Sequence, residues 1–148
     1  MGKIVYGALV NIAVASDATQ DIWNLMGGST VRITLHGWEL TSDTLTAELV
    51  SLTLTRVSSG GTGGAGVTEQ LRDSNDAVLG GIFQTGVVTT PGTPTGNLMG
   101  YQWEQLGPVG HIFTPEMRPV ADLAAGFALV CNTAIEMTVS GWVCWEES

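Results

Sequence analysis

The stretch "STVRITLHGWEL", residues 29–40, decides the fold, because its apolar and polar side chains alternate. Val31, Ile33 and Leu35 fall on one side of an extended chain, while Arg32 and His36 fall on the other. A period of two is typical of a strand with one face on a core and one face in water. The alternation recurs in "ELVSLTLTRV", residues 48–57, which predicts a second strand of the same kind.

The same reasoning extends outward along the chain. Further strands are predicted at 4–15, 20–26, 98–106, 127–132 and 137–146, with weaker ones near 67–71 and 80–88. Helix signals are poor, and only "RPVADLAAGF", residues 118–127, has room for one helical turn that Gly126 would end. We therefore expect an all-β, single-domain antiparallel β-sandwich over residues 1–148, jelly-roll-like, with about eight strands. Residues 1–19 are expected to form an N-terminal strand or arm involved in assembly.

Charge is scarce, since charged residues make up 13% of the chain, which is about half the usual share. So few charges cover a monomer's surface poorly, and part of that surface is expected to be buried in a homo-oligomer. A surface rich in Thr and Ser is the alternative explanation. The formal net charge is −9, and the basic residues are spread along the sequence without clustering: Lys3, Arg32, Arg56, Arg72 and Arg118. Neither nucleic acid nor an anionic membrane is therefore expected as a partner.

A literal Gly-x-Gly-x-x-Gly runs through Gly61, Gly63 and Gly66 in "SSGGTGGAG", residues 58–66. A dinucleotide site needs a helix directly after this pattern, and the following "VTEQLRDSNDAVLGG" is too short and broken for one. We therefore expect a flexible loop between strands. Alanine at all three positions is expected to leave folding nearly intact, unless a position needs positive φ.

A second loop is predicted at "TTPGTPTGN", residues 89–97, where Pro91 and Pro94 cannot donate to a sheet. This stretch is expected to lie at an edge or to project outward. Ordering a glycine-rich loop costs backbone entropy that no large apolar side chain here offsets. Residues 59–66 and 89–97 are therefore expected to be mobile in the free protein and to become ordered, if at all, by contact with a neighbouring molecule. Their glycines and prolines are accordingly candidate interaction residues.

Catalytic motifs are weak throughout the sequence. A metal site would have to be assembled from His36, His111, Cys131 and Cys144, which lack the spacing of ligand sets. No catalytic residue, metal or cofactor is expected, and the chain is expected not to be an enzyme. The two cysteines fall in the last two predicted strands, so both a disulfide and free buried thiols stay open, with free thiols the commoner outcome.

The tryptophans allow two interpretations. On a β scaffold they suit either a sugar-stacking platform or packing in a core or interface. By alternation Trp142 and Trp145 lie on opposite faces of the last strand, and Trp145 is taken as a candidate interaction residue. The alternative to a structural role is accordingly a carbohydrate- or receptor-binding module of a tail or fibre apparatus.

The order of segments resembles that of small tailed-phage virion proteins with a jelly-roll-like fold. A long strand ends in Arg and a Ser/Gly loop, "ELVSLTLTRVSSGGTGGAG"; then come "TTPGTPTGN", an aromatic strand, the turn in "HIFTPEMRPV" and two closing strands. The resemblance implies a non-enzymatic capsid decoration or cement protein on the virion surface, made in the host cytoplasm. It also implies a homo-oligomer, taken as a trimer, that binds the major capsid protein or another virion protein. Pro115 and Pro119 restrict the turn, and Arg118 is expected to bind the carboxylate of Glu116 or of a neighbour.

Overall fold

The computed structural model describes residues 2–73, 80–87 and 89–148. Those residues form twelve β-strands and a single 3-10 turn at Pro115–Met117, with no α-helix among them. The strands are β1 Lys3–Val14, β2 Thr19–Met26, β3 Ile33–Ser42, β4 Leu49–Val57, β5 Ala65–Gly66, β6 Gln70–Leu71, β7 Ile82–Val87, β8 Pro94–Glu104, β9 Val109–Ile112, β10 Val120–Ala121, β11 Gly126–Asn132 and β12 Met137–Glu147.

Two antiparallel sheets make a sandwich. Sheet A has the order β10-β3-β12-β1-β6, with β9 also paired to β3, and sheet B has the order β5-β7-β2-β11-β4-β8. The quartets β1-β12-β3-β9 and β2-β11-β4-β8 have the strand pairing of a jelly roll, in which the long connections cross between the sheets. The predicted all-β sandwich is confirmed, with twelve strands rather than about eight. The additional strands are β5, β6 and β7, inserted between β4 and β8, and the short β10.

The core lies between the sheets, and the predicted alternation builds it. Ile33 and Leu35 of β3 are completely buried. Phe83 of β7 stacks on Trp145 of β12 at 5.4 Å between ring centroids, which joins the two sheets through aromatic contact. One apolar cluster contains buried residues of both sheets, so burial of this shared set holds the sandwich together.

Strand prediction worked where strands are long. The seven long strands predicted from alternation, at 4–15, 20–26, 29–40, 48–57, 98–106, 127–132 and 137–146, correspond to β1, β2, β3, β4, β8, β11 and β12. The weak candidates shrink to Gln70–Leu71 and Ile82–Val87, and Val88 lies outside the described residues. The strands β5, β9 and β10 were not predicted, because two to four residues give too little alternation to recognise.

One local expectation is wrong. Residues 118–127 hold no helical turn; they contain β10 and a reverse turn, and Gly126 begins β11 instead of ending a helix. Of the strand or arm expected over residues 1–19, the structure shows a strand, since β1 pairs with β12 from Lys3 to Val14 inside sheet A. Its buried side chains, such as Val5 and Leu9, belong to the core, so this strand is part of the domain.

The two glycine- and proline-containing loops pack on each other. Thr62 and Thr90 exchange backbone hydrogen bonds of 2.8 and 3.2 Å, and the Ser58 amide donates to the Thr93 carbonyl at 2.9 Å. The expected loop at 89–97 is shorter than predicted, since β8 begins at Pro94 as an edge strand beside β4. Pro94 at the start of an edge strand agrees with the expected edge position.

A buried carboxylate fixes these loops to sheet B. Asp21 of β2 is completely buried, and its Oδ2 accepts hydrogen bonds from the Gly92 amide at 2.8 Å and from Asn24 Nδ2 at 3.0 Å. Desolvation raises the pKa of Asp21, and these two hydrogen bonds oppose the shift. The loop conformation is therefore tied to the domain. If Gly92 moved away, the buried Asp21 carboxylate would lose the hydrogen bond that the Gly92 amide donates.

The cysteines lie in different sheets. Cys131 is on β11 of sheet B and Cys144 is on β12 of sheet A, and both thiols are free and buried. The free-thiol alternative is therefore the one that the structure shows.

Candidate interaction surface

Among the sheet surfaces in the described residues, the outer face of sheet A carries the largest number of exposed large apolar side chains. Val5, Gly7 and Leu9 of β1 point to the core, so alternation turns Tyr6, Ala8 and Val10 outward. Tyr6 is 41% exposed and Val10 68%. Trp142, opposite Ala8 on β12, is only partly buried on the same outer face.

A row of four residues crosses this face from β1 to β9. Tyr6 pairs with Cys144, Cys144 with Gly37, and Gly37 with Ile112. The two middle residues are small and the outer two are large, which leaves a depression between Tyr6 and Ile112. A Cβ at Gly37 would lie 3.4 Å from Ile112 Cγ1 and 2.9 Å from the His111 carbonyl oxygen, so the strands approach closely here.

Two adjoining cavities follow the depression, and we call them together the sheet A groove. Their volumes are about 380 and 200 Å³, and both are lined by the same four side chains: Tyr6, His36, Arg118 and Cys144. The larger cavity adds Arg72 and Glu146, and the smaller adds Trp142 and Ile112. The groove therefore has a polar, arginine-rich half and an apolar half.

The edge of sheet A beside the groove is apolar as well. Ile112 of β9 is 74% exposed, and Met117, in the 3-10 turn before Arg118, is 71% exposed. Val120 of β10 and Leu123 of the following turn are about half exposed. Of the ten large hydrophobic residues that are exposed in the described part of the chain, six thus lie on sheet A or along its β3 edge: Tyr6, Val10, Ile112, Met117, Val120 and Leu123. Exposed apolar residues concentrated in this way are typical of contact surfaces, which makes this face the candidate interaction surface.

The tertiary structure sorts the charges to two ends. Every basic residue lies at the end where β1 begins and β4 finishes: Lys3, Arg32, Arg56, Arg72 and Arg118. The opposite end carries five carboxylates and no basic residue: Asp17, Asp43, Glu48, Glu104 and Glu136. Carboxylates are also present at the basic end, for example Asp122, which pairs with Arg32 at 3.7 Å, so the basic end is mixed in charge.

Burial controls protonation in the groove. Desolvation lowers the pKa of His36, the Arg118 charge adds to this, and a 3.3 Å hydrogen bond to Glu146 opposes it. Desolvation raises the pKa of the Cys144 thiol. The pKa of Tyr6 is raised by the charge of an ionised Cys144 and then by burial. The thiol and the phenol are therefore neutral near pH 7, and the chemistry of the polar half is that of hydrogen-bond donors.

Arg118 is the one predicted interaction residue that lines this groove. Its Nε is buried and has no hydrogen-bond partner among the described residues. The expected pairing with Glu116 is not seen, since that side chain is exposed in the 3-10 turn and forms no ion pair with Arg118 in the described part of the chain.

The choice of Trp145 as an interaction residue is wrong. Its side chain is completely buried, stacks on Phe83 and donates from Nε1 to Glu147 at 3.1 Å. Alternation correctly placed Trp142 and Trp145 on opposite faces, and Trp142 is the outward one. The absolute direction was missed because alternation fixes which residues share a face but not which face meets the core.

The other predicted residues lie on the sheet B side. Gly61 and Gly63 have φ of 67° and 86°. Both positions therefore need positive φ, which is the exception made when alanine was expected to leave folding nearly intact. Gly66 lies in β5, which pairs with β7. In the described residues that follow the glycines, 67–73 and 80–87, the chain forms the strands β6 and β7 and no helix. Pro91 lies in the loop held by Asp21, so none of these residues joins the sheet A groove.

A wider cleft of about 760 Å³ opens at the acidic end, between the β1–β2 and β12 termini. Asp43, Glu136, Gln20 and Met137 are among the residues that line it. Within residues 2–73, 80–87 and 89–148, no group of three or more His, Cys, Asp or Glu side chains is arranged to hold a metal ion. The described part of the chain also contains no helix of the length and hydropathy that a membrane span requires.

Comparison with known proteins gives no relative. No family model matches the chain, and no curated protein or solved structure matches it either.

Proposed function

We propose that the chain is a non-enzymatic virion structural protein that binds a capsid lattice as a decoration or cement protein and assembles as a homotrimer. The observation that supports an assembly role is the concentration of exposed apolar residues on the outer face and β3 edge of sheet A. The virion setting comes from the resemblance in segment order. Capsid lattices require protein contacts, and a sheet face with exposed apolar side chains and an apolar edge suits such a contact.

The contact that this role needs is a moderate part of the chain's surface. A stable contact buries about 800 Å² on each partner, which is roughly a ninth of the 7248 Å² accessible surface of this chain. The outer face of sheet A contributes Tyr6, Val10 and Trp142, and the edge adds Ile112 and Met117. Aromatic residues and methionine are the types enriched at the centre of such contacts.

The carbohydrate alternative loses its main support. It depended on five tryptophans, and four of them are buried at 2% exposure or less: Trp23, Trp38, Trp103 and Trp145. A sugar-stacking platform needs exposed aromatic faces, and Trp142 alone among the tryptophans offers part of one. A glycan array with Trp fluorescence tests this alternative, and quenching by sugars that Trp142→Ala abolishes would favour it.

Light scattering after gel filtration tests the assembly surface. We expect a trimer for the native chain and dissociation for Ile112→Ser and Val10→Ser, because each removes an exposed apolar side chain without entering the core. Leu45→Ser is the matched control: Leu45 is 95% exposed and lies in the β3–β4 loop at the acidic end. A native chain that stays monomeric, or variants that all behave alike, would refute the use of this surface.

The virion setting is tested separately. Mass spectrometry of purified virions should detect the chain, and a capsid-binding assay should lose signal for the Ile112→Ser variant. A trimer in solution that is absent from virions would overturn the virion role and leave the assembly surface intact.

A further inference from the structure

We propose that the polar half of the sheet A groove is a carboxylate-binding site, in which Arg118 and Arg72 receive an Asp, Glu or terminal carboxylate of a partner protein. The site stands independently of the proposed virion role, since it depends on groups of one chain. Arg72 and Arg118 line the same cavity of about 380 Å³ together with Tyr6 and His36.

The site has more donors than acceptors. Each guanidinium offers five N–H groups and accepts none. Neither Arg72 nor Arg118 forms an ion pair within the described residues, and Arg118 Nε is buried without a partner there. Glu146 is the cavity's carboxylate, and its Oε2 already faces His36 Nε2 at 3.3 Å. An incoming oxyanion would therefore pair with guanidinium groups that have no carboxylate partner among the described residues.

Charge selects the class of oxyanion. Two guanidinium charges and one Glu146 carboxylate leave the site at +1, because burial and Arg118 keep His36 neutral by lowering its pKa. A single carboxylate balances that charge. A doubly charged phosphate would make the site negative within a protein whose formal net charge is already −9. Guanidinium also pairs with carboxylate through two parallel hydrogen bonds, which suits a planar group.

The position of Arg118 is set by the fold. It follows the 3-10 turn at Pro115–Met117 and precedes Pro119, whose carbonyl accepts a hydrogen bond from the Leu35 amide at 2.9 Å. That bond anchors the segment to β3 beside His36. The guanidinium is therefore presented by a restricted segment rather than a free loop, which lowers the entropy lost when a ligand binds.

NMR of the full chain with ¹⁵N-labelled arginine tests the site directly. The chain has four arginines, so each Nε–H signal is assigned by one substitution. Sodium acetate is the probe, with inorganic phosphate and chloride titrated in parallel at matched ionic strength. We expect acetate to shift the Arg118 and Arg72 signals saturably and to leave Arg32, which already pairs with Asp122, unshifted.

Substitutions separate the site from general charge effects. Arg118→Gln and Arg72→Gln should each weaken acetate binding about tenfold, since a hydrogen-bonded charge is removed. Arg118→Lys keeps the positive charge but loses the planar guanidinium that forms two parallel hydrogen bonds, so it should also weaken acetate binding. This variant keeps the binding test available if Arg118→Gln does not fold. Arg32→Gln is the control and should bind as the native chain does. Equal shifts with chloride, tighter binding of phosphate than acetate, or no shift at Arg118 would each overturn the proposal.

Discussion

Alanine at Gly61 is expected to destabilise the protein strongly, whereas alanine at Gly66 is not. At Gly61 φ is 67°, and a Cβ would lie 2.2 Å from the Thr90 carbonyl oxygen and 2.8 Å from the Gly92 amide nitrogen. At Gly66 no heavy atom lies within 4 Å of the added Cβ and φ is not positive. The two positions belong to the same Gly-x-Gly-x-x-Gly, so they form a matched pair.

Two costs add at Gly61. A left-handed conformation costs alanine about 1–2 kcal/mol, and overpacking against backbone costs about 1–3 kcal/mol more. The sum is about 2–5 kcal/mol, and the clash falls on the Thr62–Thr90 pair that joins the two loops. At Gly66 alanine should be neutral or stabilise by about 0.4–1 kcal/mol, since it lowers the entropy of the unfolded chain.

Thermal and urea unfolding at equal protein concentration measure the difference. For a chain of this length each kcal/mol moves Tm by roughly 2–4 °C, so Gly61→Ala should melt about 5–24 °C below Gly66→Ala. Gly63→Ala should behave like Gly61→Ala, because its Cβ would lie 2.2 Å from Thr89 Oγ1 at φ 86°.

If Gly61→Ala and Gly66→Ala melt within about 2 °C of each other, the contacts between the two loops do not restrain the loop that contains Gly61. Its glycines would then contribute backbone flexibility only.

Three further outcomes are expected. Trp145→Ala should cost about 3–5 kcal/mol in urea unfolding and Trp142→Ala about 1 kcal/mol, since one is in the core and the other is partly exposed. Burial, followed by the charge of Glu147, raises the pKa of Glu69 from 4.5 to about 7, so the stability tied to its protonated form is present below pH 4.5 and lost as pH rises through 7. Glu69→Gln should therefore be more stable than the native chain by about 1 kcal/mol at about pH 8, allowing for solvent screening, and equal to it in acid. Both thiols should resist alkylation until unfolding, because burial raises the pKa of Cys131 to about 12 and also raises that of Cys144.

Each of these has a control. Equal unfolding costs for the two tryptophan variants would contradict the assignment of inner and outer faces on β12. Glu116→Gln, at an exposed position, serves as the charge control for Glu69→Gln, and a pH-independent difference between Glu69→Gln and the native chain would contradict the buried-carboxylate explanation. Rapid native labelling of Cys131 would show that sheet B opens far below the energy of global unfolding.

The sequence alone determined the class of fold, because side-chain alternation is a local property with a period of two. Val31, Ile33 and Leu35 must share a face of any extended strand, so the strand and its apolar side can be predicted from the amino-acid sequence. The short strands β5, β9 and β10 did not follow, since two to four residues become strands only where a longer neighbour offers backbone partners. The reversal of the chain around Pro115 likewise depends on β3, because β9 before the turn and β10 after it both pair with the same edge of β3.

The tertiary structure alone decided the candidate site. Tyr6, Gly37, Ile112 and Cys144 are far apart in sequence and become one row only through the register of four strands. The basic residues are scattered along the sequence, yet antiparallel pairing brings them to one end of the sandwich. Each second strand returns the chain to that end. Whether Trp142 or Trp145 faces outward was also decided by packing. Alternation relates the two residues, and only the contact of Trp145 with Phe83 of the opposite sheet fixes which of them lies in the core.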